Sequence, residues 1–152
     1  LKHRGPNIVT SLELDPAEME KRNIHLQQKY AEIEEKEVRY EEIHCDDAEY
    51  LIVAFGSCAR IAQKAMEEAR AEGIKVGLLR PITLWPFPSK AIAERSRQVK
   101  GILTVELNAG QMVEDVRLAV ECKVPVEYFG RLGGIVPDPD EVVTALKEKI
   151  IK

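Results

Sequence analysis

The sequence is poor in cysteine and in aromatic residues, and it has no surplus of positive charge. Its three cysteines, Cys45, Cys58 and Cys122, form no Cys-x-x-Cys pair. This spacing argues against a zinc site or an iron–sulfur ligand set and predicts free thiols in a reducing, cytoplasmic setting. With 26 acidic and 22 basic residues the net charge is −4, so neither a nucleic-acid surface nor an anionic membrane surface is expected.

Long apolar runs and a targeting segment are also missing from the sequence. No run approaches the roughly 18 apolar residues of a membrane-spanning helix, and the chain opens without a signal-peptide pattern. The composition, with 45% hydrophobic and 32% charged residues over 152 positions, is typical of one globular domain with an appendage. Because the first residue is Leu1 rather than a methionine, we expect a piece of a longer polypeptide.

The first 37 residues differ in pattern from the rest. Residues 1–14 are predicted to form an extended arm, and Asp15-Pro16 followed by Glu18 is a strong helix start. The predicted helix runs to Glu37 with a narrow apolar stripe on a charged background, which favours a solvated face over a coiled coil. We therefore divide the chain into an arm and a linking helix at residues 1–37 and a domain at residues 38–152.

From residue 38 onward the pattern predicts alternating strands and helices. Val38 to Ile43 alternates like a half-exposed strand, whereas the next strands are continuous apolar runs typical of a parallel sheet. The predicted fold is a three-layer α/β sandwich with a five-stranded, mostly parallel sheet and one antiparallel strand. Pro125 predicts that the last strand lies at a sheet edge or that the proline stands at the start of the strand, and Ser89 is predicted to cap the helix that follows residues 80–88.

Candidate ligand residues lie where two buried strands end, because α/β sheets bind ligands at the carboxyl ends of their strands. Gly56 and Ser57 could hold an anion on a helix N-terminus, or they could be a tight turn. Glu106 and Asn108, with Gln111 opening the next helix, could orient a ligand or a neighbouring subunit, or they could be a helix cap and a surface carboxylate. Nucleophile-elbow, dinucleotide and P-loop motifs are absent.

The segment at residues 80–88 is the most unusual part of the sequence. It combines Arg80 with three prolines and two of the chain's eight aromatic residues, Trp85 and Phe87. A rigid apolar loop of this kind indicates an interface with another domain or subunit. The alternative is local packing under the following helix.

The same segment resembles a known family. Residues 80–88, RPITLWPFP, are similar to the R-x-x-T-L-x-P-F-P stretch of the alpha subunits of 2-oxoacid:ferredoxin oxidoreductases. VAFGS at residues 53–57 and VELNAGQ at residues 105–111 resemble further segments of that family. The closing YFGRLGGIVP at residues 128–137, which includes Arg131, resembles the Gly-rich end of the family, and together with residues 80–88 it is most like the 2-ketoisovalerate branch.

The resemblance implies a transketolase C-terminal-like domain and a particular enzyme around it. Residues 1–37 would then be the tail of a missing upstream domain and the helix that leads into this one. That enzyme would contain thiamine diphosphate, magnesium and iron–sulfur clusters, none of which this chain is expected to hold. It would include beta, gamma and ferredoxin-like delta subunits, use CoA and reduce ferredoxin. The domain would serve assembly and help shape the site, so no catalytic residue is assigned, and Arg80, Trp85, Phe87 and Arg131 become candidate interface residues.

Two other functions remain open from the sequence. One is a stand-alone nucleotide-binding or CoA-binding module that uses the crevice at the strand ends. The other is an assembly protein without a ligand. The missing phosphate-binding fingerprint argues against the first.

Overall fold

The computed structural model describes Gly5 and residues 12–151, which fall into two compact units divided between Lys36 and Glu37. The first unit contains helix α1, Pro16–Lys36, none of whose residues is buried. The side chain of Asp15 accepts a hydrogen bond from the Ala17 backbone N–H at 2.8 Å, which confirms the predicted helix start. Most of the predicted arm lies outside the described residues, and its origin in a preceding domain stays a prediction.

The second unit is built on one five-stranded sheet in the order β1-β3-β2-β4-β5. The strands are β1 Tyr40–Ile43, β2 Tyr50–Ala54, β3 Val76–Pro81, β4 Ile102–Glu106 and β5 Val126–Gly130. β1 pairs with β3 in antiparallel register, and all other pairs are parallel. The predicted sheet is confirmed, including the edge position of the strand that follows Pro125.

Helices cover both faces of the sheet. They are α2 Gly56–Ala71, α3 Ser89–Ser96, α4 Met112–Val120 and α5 Pro139–Leu146, the last continued by a π-helical turn at Lys147–Ile151. α2 and α5 pack on one face, and α3 and α4 pack on the other. β2 shows why its sequence is continuously apolar: Ile52 faces the first helix pair and Leu51 and Val53 face the second, and all three are fully buried.

Three sequence predictions are wrong in detail. β1 begins at Tyr40 rather than Val38, because the antiparallel register ends where Tyr40 meets Pro81. Arg80 and Pro81 therefore belong to β3, and the loop begins at Ile82. Ser89 is the first helical residue of α3 and not its cap, since Pro88 holds the capping position without a side-chain hydrogen bond.

Candidate functional site at the carboxyl edge of the sheet

The sheet order creates one crevice of the kind that binds ligands in open α/β folds. The chain leaves β2 toward β3 on one side, and it leaves β4 toward β5 on the other. β2 and β4 are adjacent, so their carboxyl ends flank the point where the winding direction reverses. The topology thus brings together both predicted ligand segments, the one beginning at Gly56 and the one beginning at Glu106.

Glu106 closes β4 as a fully buried carboxylate that caps helix α4. Its oxygens accept hydrogen bonds from the backbone N–H groups of Met112 at 2.8 Å, Val113 at 3.0 Å and Gln111 at 3.2 Å. A negative charge at a helix N-terminus is also stabilised by the helix dipole. The geometry favours the helix-cap interpretation over a ligand-orienting role, but the carboxylate of Glu106 is buried and does not lie at the surface as that interpretation predicted.

Asn108 and Tyr128 complete the polar network at the end of β4. The Asn108 side-chain amide donates to Glu106 at 3.1 Å, and its amide oxygen accepts from the Gly110 N–H at 2.7 Å. The Tyr128 hydroxyl donates to the backbone carbonyl of Asn108. Burial, with a smaller contribution from the Glu106 charge, raises the pKa of Tyr128. Tyr128 was not predicted as a site residue, because a tyrosine within a strand is ordinary.

Gly56 and Ser57 form the first turn of α2. Gly56 has φ +57°, so glycine is needed there for the backbone, and a Cβ at this position would point into open space. Phe55 supplies no side-chain cap. The next residue, Cys58, is buried, and its thiol pKa is raised by burial and then by the charge of Glu106, which places Glu106 near this turn. Ser57 is exposed, and its side chain makes no hydrogen bond among those found in the described residues.

The candidate interface residues lie along the same edge. Trp85 is 56% exposed, whereas Phe87 is partly buried against the cluster formed with α3 and α4. Arg80 pairs with Glu41 at 2.9 Å, and Arg131 pairs with Glu141. The structure thus separates the two aromatic residues: Trp85 projects outward and Phe87 anchors the loop from beneath.

The described residues contain no cluster of three or more His, Cys, Asp or Glu side chains that could hold a metal ion. Cys45 and Cys58 are buried and Cys122 is exposed, and all three are free. The thiol of Cys45 donates to the Leu78 carbonyl at 3.4 Å, so it is committed to the fold. This donor set does not fit an iron–sulfur cluster, which needs several converging thiolates. No described helix is long and apolar enough to cross a membrane.

Comparison with known proteins decides the family. The profile of pyruvate:ferredoxin oxidoreductase core domain II matches residues 48–142. The chain belongs to this family. Within it, the chain is 51% identical over 142 residues to the ketoisovalerate oxidoreductase subunit VorB of Methanothermobacter thermautotrophicus, covering 93% of the chain and 40% of that subunit. It is 33% identical over 101 residues to the 2-oxoglutarate synthase subunit KorA of Methanothermobacter marburgensis, covering 66% of the chain and 27% of that subunit.

A solved structure agrees with the core domain II fold. The 2-oxoglutarate:ferredoxin oxidoreductase of Magnetococcus marinus, whose structure has 2-oxoglutarate, coenzyme A and succinyl-CoA bound, aligns with a TM-score of 0.77 at 24% identity, covering 90% of this chain and 24% of that one. The family predicted from residues 80–88 is confirmed. The predicted designation as an alpha subunit is slightly off, because the ketoisovalerate relative is designated subunit VorB.

Proposed function

We propose that this core domain II is part of a multi-subunit 2-oxoacid:ferredoxin oxidoreductase that acts on 2-ketoisovalerate (3-methyl-2-oxobutanoate). The observation that supports it is the 51% identity to the ketoisovalerate subunit over nearly the whole chain, against 33% over two thirds of it for the 2-oxoglutarate subunit. The chain spans only 40% of the first relative. The activity therefore belongs to an assembly of which this domain is one part.

The proposed overall reaction joins the 2-oxoacid and CoA. The bond between the carboxylate and the keto carbon breaks, carbon dioxide leaves, and a thioester forms between the former keto carbon and the sulfur of CoA. The S–H bond of CoA breaks and its proton is released to solvent, while two electrons pass to two ferredoxins. Thiamine diphosphate supplies the decarboxylation chemistry when it is bound, and the chemistry is the cofactor's rather than the protein's. We assign the binding of thiamine diphosphate, magnesium and iron–sulfur clusters to other parts of the enzyme.

The role proposed for this domain is assembly rather than chemistry. Glu106, its most deeply buried carboxylate, already accepts four hydrogen bonds from its own chain. Trp85, together with Arg80 and Arg131, offers contact groups at the edge of the sheet. The proposed partners are the beta, gamma and ferredoxin-like delta subunits, with ferredoxin as the electron acceptor. Free thiols are compatible with a cytoplasmic enzyme.

The substrate assignment is tested with the purified enzyme that contains this chain. Carbon dioxide release and viologen reduction are followed with CoA and each of 3-methyl-2-oxobutanoate, pyruvate and 2-oxoglutarate. The expected kcat/KM is highest for the branched oxoacid, by about tenfold or more. A preference for 2-oxoglutarate contradicts the branched-substrate proposal.

A second candidate function is a CoA-binding or nucleotide-binding module. It is favoured by the uncapped N-terminus of α2 and the open space over Gly56. Titration calorimetry of the chain with CoA and with thiamine diphosphate separates the two functions. The assembly role predicts no heat of binding from either compound.

A further inference from the structure

The carboxyl edge of the sheet is poor in charge. The segments that follow the four parallel strands contain a single charged residue, Arg131 directly after β5, in a chain that is 32% charged. These segments are residues 55–59, 82–88, 107–113 and 131–137. At the opposite edge, every segment that leads into one of the same strands carries at least two charges. Those segments are residues 44–49, 72–75, 95–101 and 121–125.

The exposed apolar side chains gather at the same edge. In the unit that begins at Glu37, eight large hydrophobic residues are exposed there, and in the described part of this unit Leu118 on α4 is the only exposed one elsewhere. We call the eight the carboxyl-edge patch: Tyr40, Ile82, Leu84, Trp85, Leu107, Leu132, Ile135 and Val136. Tyr40 belongs to it because β1 is antiparallel and pairs Tyr40 with Pro81. An apolar surface depleted in charge has the composition of an interface core.

The largest projection of the patch is held in place before any partner arrives. The backbone N–H groups of Ile82 and Thr83 donate to the Arg39 carbonyl at 2.9 and 3.1 Å. The Thr83 hydroxyl donates to the Pro86 carbonyl at 2.9 Å, and it accepts from the Arg39 N–H at 3.0 Å. A loop ordered in this way loses little conformational entropy on docking.

A small polar ligand is poorly suited to this edge. Ligand sites combine an apolar wall with a few polar groups aimed into the cavity. At the ends of β4 and β5 the polar groups are directed inward: the Glu106 carboxylate bonds to α4, and the Tyr128 hydroxyl bonds to the Asn108 carbonyl. Arg80 and Arg131 flank the patch, and each is paired with a carboxylate of its own unit. A protein surface of matching apolar character fits these features better.

We propose that the carboxyl-edge patch docks against another domain of the same polypeptide. This deepens, and rests on, the proposed place of the chain within a larger oxidoreductase subunit. In the ketoisovalerate relative the matched part is 40% of the subunit, so most of that polypeptide lies outside the match. A domain joined covalently is always present to cover the patch, and permanent interfaces are the most apolar class. The edge that binds small ligands in many α/β folds is thereby used for docking a domain.

The first experiment compares backbone hydrogen exchange in two contexts. In one, this chain replaces the matched 40% of the M. thermautotrophicus VorB subunit, assembled with its partner subunits. In the other, the 152-residue chain is alone. In the chimera, peptides covering residues 82–88 and 132–137 should exchange about tenfold more slowly or better. Peptides covering residues 44–49 and 121–125 should be unchanged, and equal exchange at the patch in both contexts refutes the proposal.

Paired variants locate the contact. Leu84→Lys places a charge within the patch, and Leu118→Lys places the same charge on an exposed leucine of α4 away from it. Leu84→Lys should abolish the protection at residues 132–137 in the chimera, whereas Leu118→Lys should leave it intact. Equal effects of the two variants contradict docking at the patch. If the chimera does not assemble, hydrogen exchange is compared between the intact VorB subunit and the isolated 40% of it that matches this chain, at the loops that align with residues 82–88 and 132–137. Slower exchange in the intact subunit supports docking, and equal exchange refutes it.

Other occupants give different results. A dimer of the 152-residue chain in light scattering that Leu84→Lys dissociates identifies a second copy as the occupant and overturns the proposal. Protection of the patch by CoA in the chain alone overturns it in favour of a small ligand. The docking proposal and the substrate proposal are tested separately. If the patch is protected in the chimera but the branched oxoacid is not turned over, the docking surface is supported and the proposed substrate is rejected.

Discussion

The buried carboxylate of Glu106 offers the most informative single substitution in this domain. Glu106→Gln keeps the shape of the side chain but turns one of its two oxygens into an NH₂ group. Both oxygens accept backbone N–H groups of α4, at 2.8 Å from Met112 and 3.0 Å from Val113. Whichever way the amide turns, at least one buried donor then faces another donor, which costs about 1–3 kcal/mol.

The loss of charge adds to this cost. A carboxylate at a partly buried helix N-terminus contributes up to about 2 kcal/mol through the helix dipole. Part of the total is offset because the glutamine carries no charge that must be desolvated. We expect the free energy of unfolding of Glu106→Gln to fall by about 2–4 kcal/mol, the scale of a broken buried polar network.

Urea denaturation of the 152-residue chain, followed by circular dichroism, measures this change. The matched control is Thr104→Val, which is also fully buried on β4 and loses one hydrogen bond to the Glu127 carbonyl. The control should cost about 1 kcal/mol. A loss for Glu106→Gln no larger than that of Thr104→Val refutes the assignment of Glu106 as the cap of α4.

Three further predictions concern the interface, the thiols and acid stability. Trp85→Ala should change the unfolding free energy of the isolated domain by less than about 1 kcal/mol, because the ring is more than half exposed. The same substitution should weaken assembly of the whole enzyme by about 2 kcal/mol or more. If denaturant melts and assembly titrations show a larger loss in domain stability than in assembly, the interface role is rejected. In native protein at pH 8 a thiol reagent should react rapidly with Cys122 alone, because burial raises the pKa of Cys58 and raises the pKa of Cys45 to about 11. Denatured protein should titrate as three thiols, and a count of one thiol would instead reveal a disulfide. The Asp138 backbone N–H, and then the Arg131 guanidinium, hold the pKa of Glu141 below 4.5. The Glu141 carboxylate therefore stabilises the fold above pH 4.5, and this stabilisation is lost as the pH falls through the lowered pKa. Glu141→Gln should flatten the curve of stability against pH in that acid range, whereas an unchanged curve argues against these contacts.

The sheet was readable from the sequence because its strands obey a simple rule. A strand covered on both faces needs apolar residues at every position, and residues 50–54 meet that need with only Tyr50 partly exposed. The start of α1 was readable for a local reason as well, since the Asp15 side chain bonds to a backbone group only two residues away. Both signals lie within short stretches of sequence.

The predictions that failed depend on the three-dimensional course of the chain rather than on residue type. Pro81 was assigned to a loop, but it continues β3 because Tyr40, on the antiparallel edge strand, lies opposite to it. Glu106 resembled a surface acid, and only the return of the chain brings the N-terminus of α4 onto it. Trp85 and Phe87 looked equivalent in the sequence, whereas the course of the loop exposes one and packs the other.

The most direct test of the account is an activity measurement on the chain alone and within its enzyme. The 152-residue chain is incubated with thiamine diphosphate, magnesium, CoA, 3-methyl-2-oxobutanoate and a viologen acceptor, beside the complete complex that contains it. The account predicts no viologen reduction by the chain alone and rapid, CoA-dependent reduction by the complex. Turnover by the chain alone, or a complete complex inactive with this oxoacid, would contradict it.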